Sequence, residues 1–256
     1  MSDDRMRIRQ EDLIHNPSNR VPIVLCLDVS GSMGTIESGE YQDLGHTTIM
    51  DGQTSGPVPG GRSRIAELNE GLKLFVEAVK QDPVACASVE MCIVTFSDQA
   101  AVEQDFQTLG NAVPGDIAAG GGSTNLGAGV NLALDLLEAR KREYKRVGID
   151  YFQPWLVLMT DGQPTTDDNV AAGKRARNLE EAGKLVVFPV AIGKGAELAT
   201  LRIFSGKNQP LRLKGLNFRN FFQWLSKSVS RVSQSRPGEK IGLDLNGIKG
   251  WAEISG

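Results

Sequence analysis

Residues 21–33 read Val-Pro-Ile-Val-Leu-Cys-Leu-Asp-Val-Ser-Gly-Ser-Met. The first half is an unbroken apolar run, as expected of a strand covered on both faces. The second half changes chemistry abruptly: a carboxylate at Asp28, then hydroxyls at Ser30 and Ser32 with a glycine between them. Any turn residue would stop a strand, so this pattern asks for more than a stop. Oxygen donors grouped at a strand end suit a bound cation, a phosphate, a nucleophile or a shaped turn. The rest of the chain decides among these.

Further apolar runs predict strands at 88–96, 100–106, 155–160 and 185–192, with a shorter one at 211–213. Between them lie helical periods. Ile65, Leu68, Leu72, Val76 and Val79 recur at spacings of three and four behind a capping Ser63, and Leu126, Val130, Ala133 and Leu137 do the same. Residues 168–183 are alanine-rich and end at a glycine. Phe218, Phe221, Phe222, Leu225 and Val229 form the apolar face of a last helix. Strand and helix alternate from residue 20 to 234, which predicts one α/β domain. Its sheet is Rossmann-like, doubly wound and mainly parallel, with one antiparallel strand and helices on both faces. Such sheets bind ligands beyond the carboxyl ends of their strands, where the strand order switches. Residues 1–19 read as an N-terminal arm and 235–256 as a C-terminal tail. The polar, glycine-rich stretch 34–62 is an insertion between the first strand and its helix. It should overhang the same face, and its composition is that of low-hydrophobicity, disordered segments.

Two more loops share the chemistry of the first. Residues 120–126 are GGGSTNL, where the glycines break structure, Ser123 or Asn125 caps a helix, and Thr124 presents a hydroxyl. Residues 158–164 are LMTDGQP, where Asp-Gly is a turn dipeptide and also a second carboxylate, Asp161, directly after a buried strand. Two carboxylates brought together without a cation repel each other or force a proton onto one of them. A divalent ion removes that penalty. Carboxylate and hydroxyl donors without nitrogen or sulfur suit a hard cation, Mg²⁺ with Mn²⁺ as the alternative, and leave a position for water or an outside group.

The motif Asp28-Val-Ser30-Gly-Ser32, with Thr124 and Asp161 downstream, resembles the metal-ion-dependent adhesion site of von Willebrand factor A domains, over residues 21 to 233. RIAELNEGLKLFVEAVK (64–80), NLALDLLEARKREYKRVGIDYFQPWLVLMTDGQPT (131–165) and LKGLNFRNFFQWLSKSVSRVSQSRPGEK (213–240) look like the bacterial TerY/YegL branch, which is associated with tellurium-resistance-type gene clusters. The resemblance implies metal contact through the hydroxyls of Ser30, Ser32 and Thr124, with Asp28 and Asp161 acting largely through bound waters. It implies that the remaining position takes a Glu or Asp from a partner protein. It further implies a cytoplasmic, non-catalytic binding role in a stress or defence system, with kinase-like or phosphatase-like partners encoded nearby.

Composition narrows the alternatives. With 28 Lys and Arg against 31 Asp and Glu, the net charge of −3 gives no reason to expect a nucleic-acid partner. No apolar run is long enough for a membrane span, and MSDDRMRIRQEDLIH lacks the apolar stretch of a secretory signal. Cys26, Cys86 and Cys92 are odd in number and lack CxxC spacing, so they read as buried small hydrophobes. The basic run 140–146 reads as a solvated helix terminus, and Trp155 and Trp224 as core. The rival function is a metal-dependent phosphoryl hydrolase with Asp28 as nucleophile, but serine at position 30 leaves that scheme without its general acid. A serine hydrolase would need a base, and His15 and His46 lie in the arm and the insertion, with no G-x-S-x-G elbow. Gly127-Ala128-Gly129 lacks the third glycine of a dinucleotide fingerprint.

Overall fold

The computed structural model describes residues 13, 15–36, 49–50, 53–54, 62–166, 168–193, 195–239, 246–248 and 250–254. Strand β1 (Val21–Asp28) is buried along its whole length. Its side chains alternate between two apolar layers. Val21, Ile23, Leu25 and Leu27 face one core cluster, and Val24 and Cys26 face the other. That double coverage is why β1 reads as a continuous apolar run rather than as alternating apolar and polar residues. Each fully buried aliphatic side chain of this kind contributes ~1.5–3 kcal/mol through burial.

Helix α1 (Arg64–Lys80) begins at Ser63, whose hydroxyl accepts the N–H of Ala66. The short helix α2 (Pro83–Ser88) follows. It starts at Asp82, which accepts the N–H groups of Val84 and Ala85, and it has proline at the first helical position. Strand β2 (Val89–Phe96) runs parallel to β1, and β3 (Ala100–Thr108) returns antiparallel to β2. Helix α3 (Leu126–Val147) ends at Gly148, where φ is +73°. Strand β4 (Trp155–Thr160), helix α4 (Asn169–Glu181), strand β5 (Val186–Ala191) and helix α5 (Leu198–Arg202) come next. Strand β6 (Leu211–Leu213), helix α6 (Phe218–Ser233) and strand β7 (Ala252–Ile254) complete the order. Apart from this sheet, Ile49–Met50 pair with Gln53–Thr54 in a two-strand ribbon.

The sheet order is β3-β2-β1-β4-β5-β6-β7. The chain leaves β1 for β2 on one side and later returns to β4 on the other, so the switch in strand order falls between β1 and β4. Helices α1, α2 and α6 cover one face, and α3, α4 and α5 cover the other. This is the fold class expected from the sequence. Strand β7 adds a second antiparallel edge strand within the stretch read as a tail. Trp251, just before it, packs on Trp224 with ring centroids 6.3 Å apart. Trp155 and Trp224 lie in the core, where both contact Phe188.

The basic run 140–146 departs from its expectation. Arg140 and Lys141 are buried: Arg140 lies over Glu90 of β2, and Lys141 pairs with Glu138 one turn earlier on the same helix. Arg140 donates to both Glu90 carboxylate oxygens, and Arg20 and Tyr144 donate to the same group. Arg142, Lys145 and Arg146 are solvated, as expected of a helix end. The cysteines are free, with Cys26 and Cys92 buried and Cys86 half-buried.

Candidate functional site

Asp28 is the last residue of β1 and is completely buried. Its Oδ1 accepts the N–H of Ser30 at 2.9 Å, and its Oδ2 accepts the Thr160 hydroxyl at 2.5 Å. Strand register explains the second contact. Leu27 pairs with Met159, so the next residues, Asp28 and Thr160, end side by side. Burial pushes the Asp28 carboxyl above its ordinary value. The hydrogen bonds from Thr160 and Ser30 pull it down, and the charge of Asp161 pushes it further up.

After Asp28 the chain makes a 3-10 turn (Gly31–Gly34) pinned by the buried Met33. The turn brings Ser32 across to the end of β4, where its hydroxyl donates to Asp161 Oδ1 at 2.8 Å. Ser30 Oγ lies 3.0 Å from Ser32 Oγ. A hydroxyl carries one proton. With that of Ser32 committed to Asp161, the two serine hydroxyls and the carboxylate form one contiguous run, Ser30–Ser32–Asp161.

The second loop is tied to the first through backbone. Gly120 donates to the Val29 carbonyl at 2.7 Å, and Gly31 donates to the Gly121 carbonyl at 3.1 Å. Gly121 has φ +84°, and a Cβ there would lie 2.7 Å from Ser97 Oγ, so both conformation and space call for glycine. Asp98, in the β2–β3 turn, accepts the N–H groups of Gly122 and Ser123 and the Ser123 hydroxyl. These donors, the Ser123 hydroxyl first, hold the exposed Asp98 carboxyl below its ordinary value. Asn125 is the residue that caps α3, accepting from Ala128 N–H. Thr124 is buried, and its loop locks to the third through two bonds with Thr165. A Cβ at Gly162 would lie 3.4 Å from Thr124 Oγ1, which puts that hydroxyl directly beside the Asp161 loop.

The structure therefore brings Asp28, Ser30, Ser32, Thr124 and Asp161 to one place, at the switch between β1 and β4. Asp161 is 2% exposed, and its second oxygen accepts from Arg64 Nη1 at 2.5 Å. Sequence reasoning missed Arg64 and the supporting Thr160, Thr165 and Asp98. Thr160 stood in the quoted motif without a role. Nothing local marks Arg64, which reaches Asp161 across 97 residues of chain. Among the described residues no group of three His, Cys, Asp or Glu is arranged to hold a metal, so any cation here relies on the hydroxyls. The donor set fits that use. A hydroxyl whose proton already points at a carboxylate turns only lone pairs toward a cation, and the two carboxylates supply the charge a divalent ion neutralises.

The phosphoryl-transfer scheme fits poorly. A nucleophilic Asp28 needs an oxygen open to the phosphoryl group, yet both are hydrogen-bonded and the residue is wholly buried. His15 is exposed, and His46 lies outside the described residues. The insertion is anchored beside the site by an Ile36–Ser63 bridge and by the Arg64 N–H donating to the Thr35 carbonyl. The overhang expected of it concerns residues that mostly lie outside those described, as do most of the N-terminal arm and part of the tail.

Comparison with solved structures finds the same fold in the PilB minor pilin of Streptococcus sanguinis (TM-score 0.57, 16% identity, 86% of this chain and 64% of that one). The SpaC pilus adhesin of Lactobacillus rhamnosus GG gives TM-score 0.57 at 14% identity, over 84% of this chain and 31% of that one. A von Willebrand factor type A protein from Catenulispora acidiphila gives 0.53 at 15% identity, over 83% and 43%. The chain spans less than two thirds of each neighbour's length, and at these identities the likeness is one of fold. A search of curated protein sequences finds no match. No helix among the described residues is long and apolar enough to cross a membrane. Residues 23–223, which carry all five site residues, match the profile of the von Willebrand factor type A domain, and the chain belongs to that family.

Proposed function

We propose that this chain is a metal-dependent protein-binding module rather than an enzyme. Domains of its family are commonly interaction modules of this kind. Ser30, Ser32 and Thr124 hold the ion through their hydroxyls, and Asp28 and Asp161 balance its charge, largely through bound water. Mg²⁺ is the proposed ion, with Mn²⁺ as the alternative. When bound, it supplies a Lewis-acidic position for a Glu or Asp side chain of a partner protein. The observation that carries the reading is the hydrogen-bonded chain from Ser30 through Ser32 to Asp161, with Asp28 and Thr124 beside it at the strand switch.

The segments at 64–80, 131–165 and 213–240 support placement in the cytoplasmic TerY/YegL branch, with stress or defence proteins encoded nearby, kinase-like or phosphatase-like, as partners. The experiment is calorimetric titration of Mg²⁺ into metal-stripped protein, beside the double variant Asp28→Ala/Asp161→Ala. One ion bound by the native chain and none by the variant is the expected result. Equal affinity in the two proteins would refute the assignment.

A further inference from the structure

Arg64 is the first residue of α1, and its position is set by the site rather than by the helix. Its backbone N–H donates to the Thr35 carbonyl at 3.3 Å, and its neighbour Ser63 is bridged to Ile36, so its Cα is fixed against the loop that carries Ser30 and Ser32. From there the guanidinium crosses to Asp161, with Nη1 2.5 Å from Oδ2 and the side chain 15% exposed. Asp161 Oδ1 is already held by the Ser32 hydroxyl. Each Asp161 oxygen thus carries one hydrogen bond, and at Oδ2 a metal ion or its water would share the acceptor with the Arg64 guanidinium.

Charge gives the consequence. Asp28 and Asp161 carry two negative charges when ionised, and Arg64 returns one positive charge. A divalent ion alone would offset these two carboxylates; with Arg64, the ion and the three side chains together carry one positive charge. Arg64 stands at a helix N-terminus, whose dipole has the same sign. A guanidinium is also a planar fork of several N–H donors, matched to the two oxygens of a carboxylate.

We propose that Arg64 is a second cation of the binding face. It holds Asp161 before the ion arrives, shares that oxygen once the ion is bound, and then donates to the oxygen of the incoming carboxylate that the ion leaves unpaired. Arg64 thus weakens metal binding and strengthens anion binding, and it selects a carboxylate over a neutral oxygen ligand. The inference rests on the metal-dependent reading above.

The test uses the full chain with Arg64→Ala and Arg64→Lys. Mg²⁺ is titrated calorimetrically into each metal-stripped protein, and glutarate is then titrated into each Mg²⁺-loaded protein while its amide resonances are followed. A hydrogen bond to a charged group corresponds to about tenfold in affinity at the low end of its range. Arg64→Ala should therefore bind Mg²⁺ several-fold to about tenfold tighter and glutarate about tenfold weaker. Arg64→Lys should fall between Arg64→Ala and the native chain in both. A residue that merely props up the fold would weaken metal binding when removed, not strengthen it. Mg²⁺ affinity unchanged or reduced in Arg64→Ala, or equal glutarate affinity, overturns the role of Arg64 and leaves the metal-dependent reading standing. Absence of Mg²⁺ binding by the native chain overturns both.

Discussion

Asp28→Asn should raise the stability of the metal-free protein and lower that of the metal-loaded protein relative to the native chain. The substitution conserves shape. Oδ1 still accepts the Ser30 N–H, and the new amide faces the Thr160 hydroxyl, which can rotate to accept. What changes is charge. Burial, before any other cause, holds the folded-state pKa of Asp28 above the ordinary carboxylate value. A carboxyl raised in this way contributes its stability below the unfolded-state value and loses it as pH rises through the folded-state value. Once pH has risen through the folded-state value, the native chain carries an ionised buried carboxylate that the asparagine variant does not. Each unit of elevation corresponds to ~1.4 kcal/mol, or about 3–5 °C in melting temperature for a domain of this size. Mg²⁺ at about 100 times its dissociation constant returns ~2.7 kcal/mol, about 5–10 °C, to the native chain. The variant, with one carboxylate left, gains little. Calorimetric melts in chelator and in Mg²⁺, near pH 4 and near pH 7, read all four states. In chelator the variant should lead near pH 7, with the gap closing near pH 4. In Mg²⁺ near pH 7 the order should invert. A gap independent of pH, or an equal Mg²⁺ response in both proteins, would refute the reasoning.

Glu90→Gln removes the charge shared by Arg20 and Arg140 and turns one of its two acceptor oxygens into a donor, within a group that receives four hydrogen bonds. Breaking a buried ion pair by removing one partner costs ~3–5 kcal/mol, so the urea midpoint should fall at unchanged slope; an unmoved midpoint would make the network dispensable. Asp98→Ala removes the acceptor for the Gly122 and Ser123 N–H groups. Hydrogen exchange at those two amides should speed up and Mg²⁺ affinity should drop, whereas unchanged protection would show that the loop holds itself. Gly71→Ala would set a Cβ 2.6 Å from the Phe222 ring, where α1 meets α6, and should cost ~1–3 kcal/mol by overpacking. Gly115→Ala meets nothing within 4 Å and should stay within about 0.5 kcal/mol of the native chain; equal effects at the two sites would contradict the packing described.

The buried strands were legible because being covered on both faces leaves an apolar run that few other structures produce. Strand β4 and the three-residue β6 have the bounds that their composition suggested. The short helices α2 and α5 and the edge strand β7 carried too few residues to show a period, although Asp82-Pro83 is a capping signal in hindsight. Periodicity could not show that Arg140 and Lys141 are buried, because the carboxylate that draws Arg140 inward comes from β2, 50 residues away.

The same division runs through the site. By itself the sequence determined which donors stand at the ends of β1 and β4 and in the loop before α3, since strand ends and glycine loops are written locally. Only the tertiary structure decided that the three loops meet. Their meeting depends on β4 pairing with β1 on the side opposite β2, and that pairing forms from strands more than 120 residues apart. Only the tertiary structure placed Arg64 over Asp161, because the chain between the first loop and α1 must return beside Thr35 for the guanidinium to reach that carboxylate. Local propensity sets what each residue prefers. Proximity between distant residues is set by the packing of the whole sheet.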